Sequence, residues 1–192
     1  MTPFEAAGAA IDRVNGGDPA GHELPYSGRM VDWTRKLAPG ASEELLLAVR
    51  AQHVGRWTVP RSTYPDGRAG YLSWRESLKK LHADTLGSAM KEAGYLDASV
   101  AKAKALILRK NLASDPEGQT LEDAACLVFL QFEFAGFAAK TEEAKVVDIL
   151  RKTWRKMSPR AREAALGLAF APAGQELLRK ALGPVAGPGI VG

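Results

Sequence analysis

The side chains best able to do chemistry in this 192-residue chain gather in one stretch, RAQHVGRWTVPRSTYPDGRAGYLSWRESLKKLHAD, from Arg50 to Asp84. It holds His53, Arg56, Trp57, Arg61, Tyr71, Arg75 and His82. From Arg50 to Lys80 there are seven basic side chains against two acidic ones, Asp66 and Glu76. Guanidinium groups present forked donors that fit phosphate or carboxylate. An imidazole among them titrates near neutral pH and can move a proton or hold a metal. Arg56, Arg61 and Arg75, with Trp57 and Tyr71, are therefore candidate holders of an anionic small molecule, and His53 and His82 are candidate acid/base groups. Plainer readings stand beside these. Arginines pair with carboxylates on helix surfaces, tryptophans fill cores, and His53 also reads as a half-buried structural histidine.

Asp123 is the third candidate for catalysis. In QTLEDAACLVFL it precedes seven apolar residues, Ala124 to Leu130. An acid at the edge of so apolar a segment is either a helix-start acid, in a capping box with Thr120, or a buried functional carboxylate. A further stripe, RKTWRKMSPRAR from Arg151 to Arg162, carries six basic residues and no acid. Nucleic acid would accept such a stripe. A solvated helix face with cations near a helix C-terminus explains it more simply, because net charge is only +4 and Trp154 is the one interleaved aromatic.

The elements that must position these groups are helices. Apolar residues recur with helical spacing throughout, and no stretch alternates with period two for long. The spacing predicts helices over Phe4–Val14, from near Arg29 to before Pro39, from Ser42 to about Val54, and over Ala69–Ala93. Further helices run from Asp97 to near Asn111, from Thr120 to Ala139, from Thr141 to near Met157, onward from Ser158-Pro159, and over Gly174–Leu182. Ser42 before Glu43 and Glu44, and Ser158 before Pro159, are the clearest starts. On the helix over Ala69–Ala93, Tyr71, Arg75, Leu78 and His82 share one face, which sets Arg75 and His82 beside apolar groups. The expected architecture is one all-α domain over residues 1–183 with a disordered tail over 184–192.

Composition narrows the classes further. Cys126 is the only cysteine, so the chain makes no internal disulfide and a reducing compartment is expected. There is no Walker loop, GxGxxG, HExxH, GxSxG or CxxC. The N-terminus has Glu5 early and no unbroken apolar run, which argues against a signal peptide. The longest apolar run falls far short of the roughly 20 residues that span a bilayer. Cytoplasmic localisation without membrane association is expected.

Several strings together carry a family resemblance: AAIDRVNGGDP, RAQHVGRWTVPR, GYLSWRESLKKLHA, LEDAACLVFL and ILRKTWRKMSP. Over roughly residues 5 to 168 the chain resembles the uncharacterised bacterial and fungal family called Domain of Unknown Function 4202, and departs from it in ELPYSGRM, which reads as a shortened first loop. A more distant resemblance is to the HD-domain phosphohydrolases, all-α enzymes that hold metal with His and Asp ligands. It sets Arg29-Met30 at the Arg-hydrophobic pair, His53 at the histidine of the His-Asp pair and Asp123 at the late aspartate. Tyr26 stands where the first histidine belongs, and Val54 where the paired aspartate belongs. The resemblance implies a phosphohydrolase with an altered site, a divalent metal resting on His53 and Asp123, and Glu23, His82 or Glu122 left to complete it. A non-catalytic binding protein on the same scaffold is the alternative.

Overall fold

In a computed structural model, the described residues are 1–109 and 115–183. Among them are ten α-helices and no strand, so the all-α expectation holds. No helix among the described residues is long and apolar enough to cross a membrane. The chain forms two compact units, Met1–Leu121 and Glu122 onward. The expected disordered tail over 184–192 lies outside the described residues.

The first unit begins with α1 (Pro3–Asn15), opened by a capping box in which Thr2 and Glu5 satisfy each other's backbone N–H groups. Next come α2 (Glu23–Leu37) and α3 (Glu43–Arg50). Two 3₁₀ turns (Arg56–Thr58 and Arg61–Thr63) lead into the 26-residue α4 (Gly67–Glu92), and α5 (Asp97–Leu108) packs back along it. Helices α1 and α3 pack on this pair, and α2 on α3. Ile11, Met30, Leu45, Leu47, Val54, Leu86 and Met90 are fully buried.

Two boundaries differ from the sequence expectation, each for a local reason. Helix α2 starts at Glu23 instead of near Arg29, so ELPYSGRM is helix and not loop. Its cap is remote. The Asp18 carboxylate accepts the backbone N–H groups of Ala20, His22 and Glu23 at 3.0, 2.8 and 3.2 Å. Pro25 then sits in the first turn, where a missing N–H costs nothing. Helix α3 ends at Arg50 and not near Val54, because the chain tightens into i→i−3 bonds (Gln52 N–H to Val49 O, Val54 N–H to Ala51 O) and turns at Gly55, φ +69°. That left-handed glycine aims Arg56 back at His53.

Helix α6 (Pro116–Val128) carries the boundary between the units. In the second unit it passes into a π-helical turn (Phe129–Glu133), then α7 (Phe134–Ala138), α8 (Glu143–Lys156), α9 (Pro159–Leu166) and α10 (Pro172–Leu182). Helix α10 packs on α8 and α7. Ser158 caps α9 through its hydroxyl, with Pro159 in the first turn, as the sequence predicts. The expected capping box at Thr120 is not the start of α6. The helix opens at Pro116, where Asp115 Oδ1 accepts the Glu117 N–H at 2.9 Å, and Thr120 donates its hydroxyl to Pro116 O from within the helix.

Candidate functional site

Five side chains from three segments of the first unit meet around His53. The sharp turn after α3 sets His53 and Arg56 three residues apart, and Arg56 Nη1 lies 3.2 Å from His53 Nε2. A guanidinium only donates, so Nε2 is the acceptor and the ring proton sits on Nδ1. Nδ1 faces Glu23 Oε2 of α2 at 3.4 Å, an ion-pair distance more than a tight hydrogen bond. That carboxylate oxygen is buried and makes no hydrogen bond among the described residues. One turn along α2, the Tyr26 ring stacks flat on the imidazole, with centroids 4.0 Å apart and planes 8° from parallel. Ring rotation is thereby restricted.

His82 enters from α4, its ring centroid 6.2 Å from that of His53. It is buried, and its Nδ1 lies 2.8 Å from Val54 O. A carbonyl only accepts, so Nδ1 carries the proton and Nε2 keeps its lone pair. Burial lowers its pKa to about 4; the bond to Val54 opposes this, and the charges of His53 and Arg56 reinforce it. His82 is therefore neutral at physiological pH. Trp74 completes the surround. The Arg56 guanidinium lies 5.1 Å from its ring, while its indole N–H donates to Val59 O at 2.9 Å.

The other arginines named from the sequence stand elsewhere. Arg61 turns inward on its own loop, donating to Tyr64 O and Pro65 O, both at 2.9 Å. Helix α4 spaces Tyr71, Arg75, Leu78 and His82 along one face, but only Leu78 and His82 are buried, while Tyr71 and Arg75 are exposed, so Arg75 is not set among apolar groups as expected. Arg75 instead reaches Tyr71, Nη1 to hydroxyl at 3.3 Å. Trp57 is half-buried near Gly17.

Asp123 belongs to the second unit, where it is buried. Its carboxylate accepts the Ser158 N–H at 2.8 Å and the Ser158 hydroxyl at 2.6 Å, anchoring the start of α9. The basic stripe is largely engaged within the same unit. Arg151 donates to Ala181 O and Lys180 O at the end of α10, Arg162 donates to Trp154 O, Lys152 pairs with Asp148, and Lys156 pairs with Glu122.

The metal of the HD enzymes does not fit the donors present. Among the described residues no three His, Cys, Asp or Glu side chains are grouped to hold a metal ion, so the divalent metal expected on His53 and Asp123 has no donor set here. Glu23 and Tyr26 are the partners least visible in the sequence. A local signal for Glu23 is the DPAGHE spacing, which lets Asp18 hold the start of α2.

The profile of a domain of unknown function, DUF4202, matches residues 5–178. The chain belongs to that family. Comparison with curated proteins and with solved structures gives no match. Within this DUF4202 domain, the His53 cluster brings two imidazoles, a carboxylate and a guanidinium together in the first unit.

Proposed function

We propose that this domain binds a phosphorylated or otherwise anionic small molecule at the His53 cluster and hydrolyses a phosphoester there. What carries the reading is the Arg56–His53 pair: a forked cation 3.2 Å from an imidazole whose Nε2 is an acceptor. In this reading Arg56 turns its donors to the anion, and Nε2 takes a proton from the attacking water. Neutral His82 offers a second acceptor nearby without adding positive charge. No step is assigned to a metal. Arg61, Arg75, Trp57 and Tyr71 are not needed, and Asp123 has no assigned step.

A second reading, binding without catalysis, is favoured by one observation. Among the described residues no three His, Cys, Asp or Glu side chains are grouped to hold a metal ion, so metal-assisted hydrolysis has no donor set there. Two measurements separate the readings. Inorganic phosphate titrated calorimetrically into the purified chain should bind, and R56Q should weaken it by roughly tenfold or more, the worth of a charge-assisted contact. Turnover of p-nitrophenyl phosphate should disappear in H53N while phosphate binding persists. Binding with no turnover in the unaltered chain supports the binding protein; no heat from phosphate at all sinks both.

A further inference from the structure

We infer that Glu23 is a positioning residue of this site, holding the His53 proton on Nδ1 so that Nε2 is presented as a lone pair toward Arg56. The inference rests on the proposed role of His53. Three independent contacts converge on it. Arg56 Nη1 lies 3.2 Å from Nε2, and because it can only donate, it requires the lone pair there. Glu23 Oε2 lies 3.4 Å from Nδ1 at ion-pair distance, is buried and makes no hydrogen bond among the described residues, so Nδ1 is the ring nitrogen nearest its charge. Tyr26, stacked at 4.0 Å, hinders the ring flip that would exchange the two nitrogens.

Glu23 is itself placed from upstream. It is the first residue of α2, and the Asp18 carboxylate holds its backbone N–H at 3.2 Å and that of His22 at 2.8 Å. The cap therefore acts through the helix start on a carboxylate, and through the carboxylate on the imidazole. Among the groups facing His53 are Glu23 and Tyr26 from α2, Arg56 from the following turn, and His82 from α4. Glu23 brings the negative charge to this set and Arg56 the permanent positive one, so removing each should move His53 in opposite directions.

The test is the protonated fraction of His53 at one fixed, mildly acidic pH, read from imidazole ¹⁵N shifts of the full chain. E23Q should lower that fraction, R56Q should raise it, and E23D should restore part of the E23Q loss. In the unaltered chain the neutral ring should show the proton on Nδ1. Thermal melting checks that each variant folds. D18A, which frees the α2 start without touching the site, should shift the fraction as E23Q does, by less. An unchanged fraction in both E23Q and D18A overturns the inference, as does a neutral ring carrying its proton on Nε2. Phosphate calorimetry is scored separately: loss of phosphate binding in the unaltered chain overturns the proposed function, whereas the ¹⁵N shifts decide the role of Glu23.

Discussion

Arg56 Nη1 lies 3.2 Å from His53 Nε2, on the side of the ring from which a proton would arrive. The guanidinium disfavours a second positive charge on the ring, and the Glu23 carboxylate on its other nitrogen favours one. The pairing is also readily exchanged. In the proposed function, an anion that draws the guanidinium toward itself would leave the Nε2 lone pair free.

His82 makes folding stability depend on pH in a defined window. Its folded pKa is about 4 against an ordinary 6.5, so between those values the unfolded chain binds more protons than the folded one. This contribution is complete above pH 6.5, falls as pH drops toward 4, and is flat below. The loss is on the order of 3 kcal/mol for a side chain this buried. Urea unfolding at a series of pH values checks it, and H82Q should flatten this part of the curve; a wild-type curve already flat between these limits would show His82 to be solvated.

Asp123→Ala should destabilise the second unit by about 2–4 kcal/mol, since it removes two charge-assisted bonds and strands the Ser158 N–H. Asp123→Asn, which can still accept from that N–H, should cost less. Equilibrium denaturation gives both numbers, and an equal loss for the two variants would mean that charge, not acceptor geometry, holds Ser158.

Gly70 admits no side chain. A Cβ there would stand 1.9 Å from the Pro65 carbonyl oxygen, which is also an acceptor for Arg61. Gly70→Ala should cost about 1–3 kcal/mol through overpacking and should loosen the Arg61 loop. The melting temperature reports the first effect, and faster proteolysis between Arg61 and Arg68 the second. A neutral variant would show the loop to be free to retreat.

Leu127 is fully buried in α6, and Leu127→Ala should cost about 2–5 kcal/mol through lost burial and the cavity left behind. Urea midpoints measure it. A loss below about 1 kcal/mol would mean that the surroundings collapse into the space.

The helices and several of their starts were legible because the signals are local. Ser42 and Ser158 cap the helices that follow them, as a side-chain oxygen just before a helical pattern should. The start of α2 was not legible, because its cap, Asp18, lies five residues before Glu23 and acts across a turn. Thr120 misled for the converse reason: its spacing to Asp123 fits a capping box, yet its hydroxyl bonds back to Pro116 O inside the helix. At the site, His53, Arg56 and His82 were visible because they share the most polar stretch. Glu23 was named only as one of three groups that could complete a metal site; its meeting with His53 was not legible because it spans 30 positions and depends on how α2 packs beside α3. Helical periodicity grouped Arg75 with His82 correctly as a face. It could not say that Tyr71 and Arg75 would be exposed while Leu78 and His82 are buried, because a face is a direction and burial depends on what packs against it.

The π-helical turn between Val128 and Phe134 closes with the Phe134 N–H reaching Phe129 O, five residues back where an α-helix reaches four. In terms of descent, such a turn has the form of a single-codon insertion absorbed without breaking the helix. A relative one residue shorter between Val128 and Phe134 would run as an uninterrupted α-helix. Because the wide turn takes up the extra residue within itself, the helix beyond it keeps its phase, and that relative would hold the residue equivalent to Phe134 on the same side. Length in this segment should therefore vary across the DUF4202 family without a matching shift of the aromatic, and Phe134 should keep its edge-on meeting with Phe170.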